Sequence, residues 1–208
     1  MSSIEELVRK VADRLELNEN NLRKFLNEAF KEVSERYNLC RDFQSRAIRF
    51  GQTFEACFKI IMEKFFPDIN LKSHVPLPEA CMTGGGGVDF AVIVTDKNGD
   101  KKLVAVIEAK GSADHIICNG KRIDLPRPGM LRTDTVKKAI CNAYLISRIY
   151  KNEVLFFIVT SHKPTEGDAK CMCDLAEGDV VTKIVDITNY TELEEMVKMI
   201  RRKLQEFG

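Results

Sequence analysis

Two stretches, VDFAVIVT (88–95) and KLVAVIEA (102–109), constrain the fold more than any other feature of the chain. Both are rich in β-branched and apolar residues, as a half-buried or buried strand requires. The segment between them, DKNGDK, carries Asn98-Gly99. A type I′ turn needs positive φ at both central residues, and Asn-Gly meets that need best. The pattern predicts an antiparallel hairpin with Asn98 and Gly99 as its loop.

Three charges interrupt this apolar hairpin: Asp89, Glu108 and Lys110. With a two-residue loop, Lys97 faces Asp100, and the same register brings Asp89 directly opposite Glu108. Side chains opposed in this way share a face, with Cβ atoms about 5 Å apart. Lys110, two residues beyond Glu108, projects from that face as well. Two carboxylates this close repel each other unless a cation lies between them. A divalent metal with oxygen ligands resolves the conflict, and Mg²⁺ favours one or two carboxylates completed by waters and phosphate oxygens. The competing explanation is a solvated strand end with ordinary ion pairs.

The remaining elements frame the hairpin. Ser3 and Glu6 form a capping box opening SIEELVRKVADRL, and Asn21–Tyr37 carries an apolar stripe at helical spacing. A third helix is predicted over TFEACFKIIMEKFF after Gly51, ending at Pro67. Strands are predicted over 69–77, 154–161 and 181–188, and helices over 133–150 and, capped by Thr191 and Glu194, through Leu204. VLFFIVTS (154–161) is wholly apolar, which suits the middle of a sheet covered on both faces. The expectation is an α/β (α+β) fold with a mixed central sheet flanked by helices. A helical segment over 1–43 packs on a main domain over 44–208.

Lys and Arg number 32 against 31 Asp and Glu, so no bulk charge advertises a polyanionic partner. No apolar run is long enough to span a bilayer, so no membrane partner is expected. Seven cysteines without a CxxC pair read as reduced thiols of a cytoplasmic protein.

Asp89 followed nineteen residues later by Glu108-Ala109-Lys110 resembles the signature of the PD-(D/E)XK nuclease superfamily. Gly87-Val88 stand where that signature usually has a proline. The predicted αβββαβ order over residues 44 to 161 is also similar to the superfamily core, and the chain looks most like a type II restriction endonuclease. The resemblance implies a Mg²⁺-dependent homodimer, with Mn²⁺ able to substitute, that hydrolyses double-stranded DNA at a short specific sequence. Asp89 and Glu108 would then be metal ligands, the Ala109 carbonyl a third, and Lys110 the group that positions water or offsets charge. Glu55, on the preceding helix, would be an accessory ligand. A structure-specific or repair nuclease of junction-resolvase type and a non-catalytic DNA-binding module are the alternatives.

Contacts to DNA are expected from two segments. The run MTGGGGVD includes Gly85 and Gly86, which let backbone approach a phosphate. The stretch 111–134 reads as a long loop bearing His115, Lys121, Arg122, Arg127 and Arg132. Lys137 on the next helix, and Arg41, Arg46 and Arg49 ahead of Glu55, extend the basic set.

Overall fold

The computed structural model describes residues 3–40, 43–83, 87–151 and 153–207. The expected Gly85, Gly86 and Arg41 lie outside them. Six α-helices and seven strands follow in the order α1 (Ile4–Arg14), α2 (Leu22–Tyr37), α3 (Phe43–Phe65), β1 (Leu71–Val75), β2 (Val88–Thr95), β3 (Lys101–Ala109), β4 (His115–Cys118), β5 (Lys121–Asp124), α4 (Thr133–Tyr150), β6 (Leu155–Thr160), α5 (Gly167–Ala176), β7 (Lys183–Asp186) and α6 (Tyr190–Leu204) among the described residues. Five strands form one mixed sheet in the order β1-β2-β3-β6-β7. β1, β2 and β3 are antiparallel neighbours, whereas β3, β6 and β7 run parallel.

Helices cover both faces, because each face of the sheet is apolar. Phe90, Val92, Ile107, Phe157 and Val159 pack in one core with α1, α2, α3 and α6. Ala91, Val106, Phe156 and Ile158 pack in a second core with α4 and α5. Burial on both sides explains why β6 has no polar alternation. Among the described residues, no helix is long and apolar enough to cross a membrane.

Several local expectations are corrected. α3 starts at Phe43 and runs through Gly51, so the basic residues Arg46 and Arg49 sit on the same helix as Glu55. The last helix is capped by Asn189, whose side chain accepts from the amides of Thr191 and Glu192, rather than by Thr191 and Glu194. The capping box of Ser3 and Glu6 is present. Residues 111–134 contain a hairpin, β4–β5, in which Asn119 and Gly120 have φ of 52° and 74°. This Asn-Gly pair supplies the two positive φ values that a type I′ turn needs. α5 is an addition to the expected elements: GDAKCMCDLA is short, opens on a glycine, and buries only Ala169, Cys173 and Ala176.

At Asn98-Gly99 only Gly99 has positive φ. The loop there is five residues long, closed by Asp96 and Asp100, and the Asp96 carboxylate accepts from the amides of Asn98 and Asp100. Thr95 therefore pairs with Lys101, one residue out of the expected register. A bulge at Val104 then restores it: Ile93 pairs with Leu103, but Val92 pairs with Ala105 and Phe90 with Ile107. One further step along that register sets Asp89 across from Glu108.

The thiol reading fails for two cysteines. Cys40, just beyond α2, is disulfide-bonded to Cys118 at the end of β4. Cys57 and Cys173 are buried thiols, and Cys81, Cys141 and Cys171 are exposed ones.

Candidate active site

The central strands bring the charged residues together at their shared end. The Ala109 amide donates to Oδ2 of Asp89 at 2.7 Å, tying β3 to the first acid through its own backbone. Nζ of Lys110 lies 2.6 Å from Oε1 of Glu108, 3.3 Å from Oδ2 of Asp89 and 3.3 Å from the Ala109 carbonyl oxygen. Neighbouring strand β6 fixes the Lys110 backbone: its amide donates to the Val159 carbonyl, and its own carbonyl accepts from Thr160 Oγ1. From the covering helix α4, Asn142 Nδ2 donates to Oε1 of Glu108 at 3.0 Å.

Burial decides the electrostatics. Glu108 is 5% exposed. Loss of water raises its pKa, and the Asp89 charge adds to the rise, while Lys110 and Asn142 oppose it. For Lys110, burial disfavours the ammonium, but the charges of Glu108 and Asp89 outweigh it and raise its pKa. Glu55, on α3, is pushed up to about 7, chiefly by desolvation and then by Asp89. A carboxyl group poised this close to neutrality can exchange a proton at physiological pH.

Glu55, Asp89, Ala109 and Lys110 line one cavity of about 730 Å³, walled by Arg46, Arg127 and Arg132 among others. Of the residues expected at the reaction centre, Glu55, Asp89, Ala109 and Lys110 face this space, whereas Glu108 lies behind it, buried and reaching it through its contact with Lys110. Two carboxylates and a carbonyl oxygen converge on a single ammonium, which is an all-oxygen donor set around a positive charge. That set fits a hard divalent cation completed by waters and substrate oxygens. Among the described residues, no group of three or more His, Cys, Asp and Glu side chains is arranged to hold a metal. Any ion here would therefore depend on the Ala109 carbonyl and on oxygens from outside the chain.

The expected DNA-contact residues divide sharply. His115 Nδ1 lies 2.5 Å from Asp114, Arg122 pairs with Asp124 at 2.7 Å, and Arg132 pairs with Asp134 at 2.9 Å. Lys121 is on the exposed β5, and Lys137 is exposed on α4. Arg49 lies over the Tyr37 ring at 4.4 Å.

Two site residues escaped sequence reading. Asn142 was legible in principle, because it falls within the apolar stripe of Ala139, Ala143 and Ile146, where a polar residue needs a partner. His74 offered no such sign. On β1 it stands across from Asp89, between the pairs Ser73 with Phe90 and Val75 with Val88. Its φ is 52°, and its Nε2 lies 3.7 Å from Oε2 of Glu55.

No protein-family model, curated protein or solved structure matches the chain. The site must be interpreted from its own chemistry.

Proposed function

We propose that the chain is a Mg²⁺-dependent endodeoxyribonuclease with a restriction-endonuclease-like core, cutting double-stranded DNA at a short sequence. One observation carries this reading: Asp89, Glu108 and the Ala109 carbonyl surround the Lys110 ammonium, and Asp89, Ala109 and Lys110 open into a cavity that also takes in Glu55. The order α3-β1-β2-β3-α4-β6, with the separate β4–β5 hairpin inserted before α4, supports it, since apart from that insertion it follows the αβββαβ succession that the sequence resembles. Action on a palindrome would require a symmetric pair of chains, so a homodimer belongs to the proposal.

Asp89, Glu108 and the Ala109 carbonyl would hold Mg²⁺, or Mn²⁺ in its place. The ion would supply Lewis-acid polarisation of the phosphate and a more acidic water. Lys110, released from its carboxylate contacts, would orient the attacking water and offset charge on the pentavalent phosphorus. Glu55 would accept a proton from that water, consistent with its raised pKa. Water oxygen would bond to phosphorus as the bond to the 3′ oxygen breaks in line, and the departing 3′ oxygen would take a proton from solvent, leaving 5′-phosphate and 3′-hydroxyl ends. Asn142 would keep Glu108 aligned from the covering helix.

Supercoiled plasmid incubated with Mg²⁺ tests the reading. Discrete fragments are expected, with none in EDTA and none from Asp89→Asn or Lys110→Ala. A smear would replace the sequence-specific part of the proposal with a nonspecific nuclease. Cleavage by both variants at the wild-type rate would overturn the assignment of the centre.

A further inference from the structure

The segment Leu125-Pro126-Arg127-Pro128-Gly129 forms part of the cavity wall. It is fastened at both ends. The Leu125 amide donates to the Asp114 carbonyl at 2.7 Å. Gly129, at φ 56°, packs so tightly that a Cβ there would lie 3.0 Å from the Lys110 carbonyl oxygen and 3.1 Å from Thr160 Oγ1. The loop is therefore seated directly on the strand end that carries Lys110.

Arg127 sits between these anchors with φ of 51°. A left-handed backbone disfavours any residue with a Cβ, at roughly 1–2 kcal/mol. The following proline further biases its neighbour towards extended conformations. No packing rewards this geometry, because Arg127 is exposed. A glycine would adopt it without strain, so the local structure gives no reason for an arginine. Its side chain must provide one.

Charge points to the same conclusion. Arg122 and Arg132 each have an aspartate partner, and His115 has Asp114. Arg127 has no carboxylate partner among the described residues, yet it lines the cavity that holds Asp89 and Lys110. Lys121 and Lys137 also lack such partners, but neither lines this space. An unpaired guanidinium on a rigid loop presents a fixed fork of donors, the geometry that suits phosphate oxygens.

We propose that Arg127 fastens a backbone phosphate of the substrate within the cavity, while Arg122 and Arg132 do not. The inference rests on the substrate being a nucleic acid and assigns the anchoring role to one residue.

The test measures binding of a fluorescein-labelled duplex of mixed sequence, in EDTA and low salt, by full-length wild-type protein and by Arg127→Gly, Arg122→Ala and Arg132→Ala. Loss of one charge-assisted contact predicts about ten- to a hundredfold weaker binding for Arg127→Gly. The other two variants should change affinity by less than about threefold, because their partners already neutralise them. Thermal denaturation of Arg127→Gly should match or exceed wild type, which separates lost contact from lost fold. Equal affinity of Arg127→Gly and wild type, or equal losses in all three variants, overturns the proposal. Binding that depends on Arg127 without cleavage under any divalent ion would overturn the nuclease reading and leave the anchor standing. Cleavage with no dependence of binding on Arg127 does the reverse, and absence of duplex binding by wild type removes both.

Discussion

Nζ of Lys110 lies 2.6 Å from Oε1 of Glu108, a carboxylate otherwise sealed beneath α4. Removing the ammonium would leave that buried charge beside Asp89 with only Asn142 to stabilise it. Breaking a buried pair from one side costs about 3–5 kcal/mol. Lys110→Met should therefore lower the melting temperature clearly at pH 8. The loss should shrink at pH 5, because Glu108, whose pKa is already raised, can take up a proton there. Added Mn²⁺ should raise the melting temperature of Lys110→Met more than that of wild type, since the donors are no longer occupied by an ammonium. A smaller rise in the variant would count against Asp89 and Glu108 as cation ligands.

Glu55 links stability to pH. Its folded pKa of about 7 stands above its ordinary 4.5, so the folded state holds the proton more tightly than the unfolded state does. The stability that this provides is complete below 4.5 and is lost as pH rises through about 7. Glu55→Gln should flatten this dependence. Urea unfolding should find the variant close to wild type at low pH and more stable at pH 8, by up to about 3 kcal/mol. Parallel pH profiles for the two proteins would show that the Glu55 carboxyl is not held neutral by its surroundings.

The pairing of Asp89 with Glu108 was legible only because two irregularities cancel. The five-residue loop at Asp96–Asp100 shifts the hairpin by one, and the bulge at Val104 shifts it back. Neither leaves a mark in the sequence: Val104, Ala105 and Val106 are alike in character, and Asn98-Gly99 advertises a shorter turn than it makes. The wholly apolar β6 and the helical stripe of α4 were plain, because burial imposes period and composition on them. β5 was not, since Lys121–Asp124 is exposed throughout and no core face imposes alternation. The Cys40–Cys118 bond joins residues 78 positions apart, a proximity that only the tertiary packing of α2 against β4 creates.

His74 holds a left-handed backbone in a strand, a conformation that glycine adopts freely. Replacing it with glycine should preserve stability or raise it by about 1 kcal/mol, whereas alanine, which keeps the Cβ and its strain, should bring no such gain. If the ring steadies Glu55, His74→Gly should still cut DNA about tenfold more slowly, with unchanged duplex affinity. Equal destabilisation by glycine and alanine would instead make the imidazole a packing group.

The disulfide makes the last test, because among the described residues it is the one cross-link between the N-terminal helices and the β4–β5 hairpin. Closing a loop of this length restricts the unfolded chain, and its removal should cost about 2–4 kcal/mol. Cys40→Ser with Cys118→Ser should lower the melting temperature by several degrees. Dithiothreitol should bring wild type to the same value and leave the double variant unchanged. Thiol titration of the unreduced protein in denaturant should count the five free cysteines, Cys57, Cys81, Cys141, Cys171 and Cys173. A count of seven would mean that the bond is not formed, and the hairpin would then be held to α2 by packing alone.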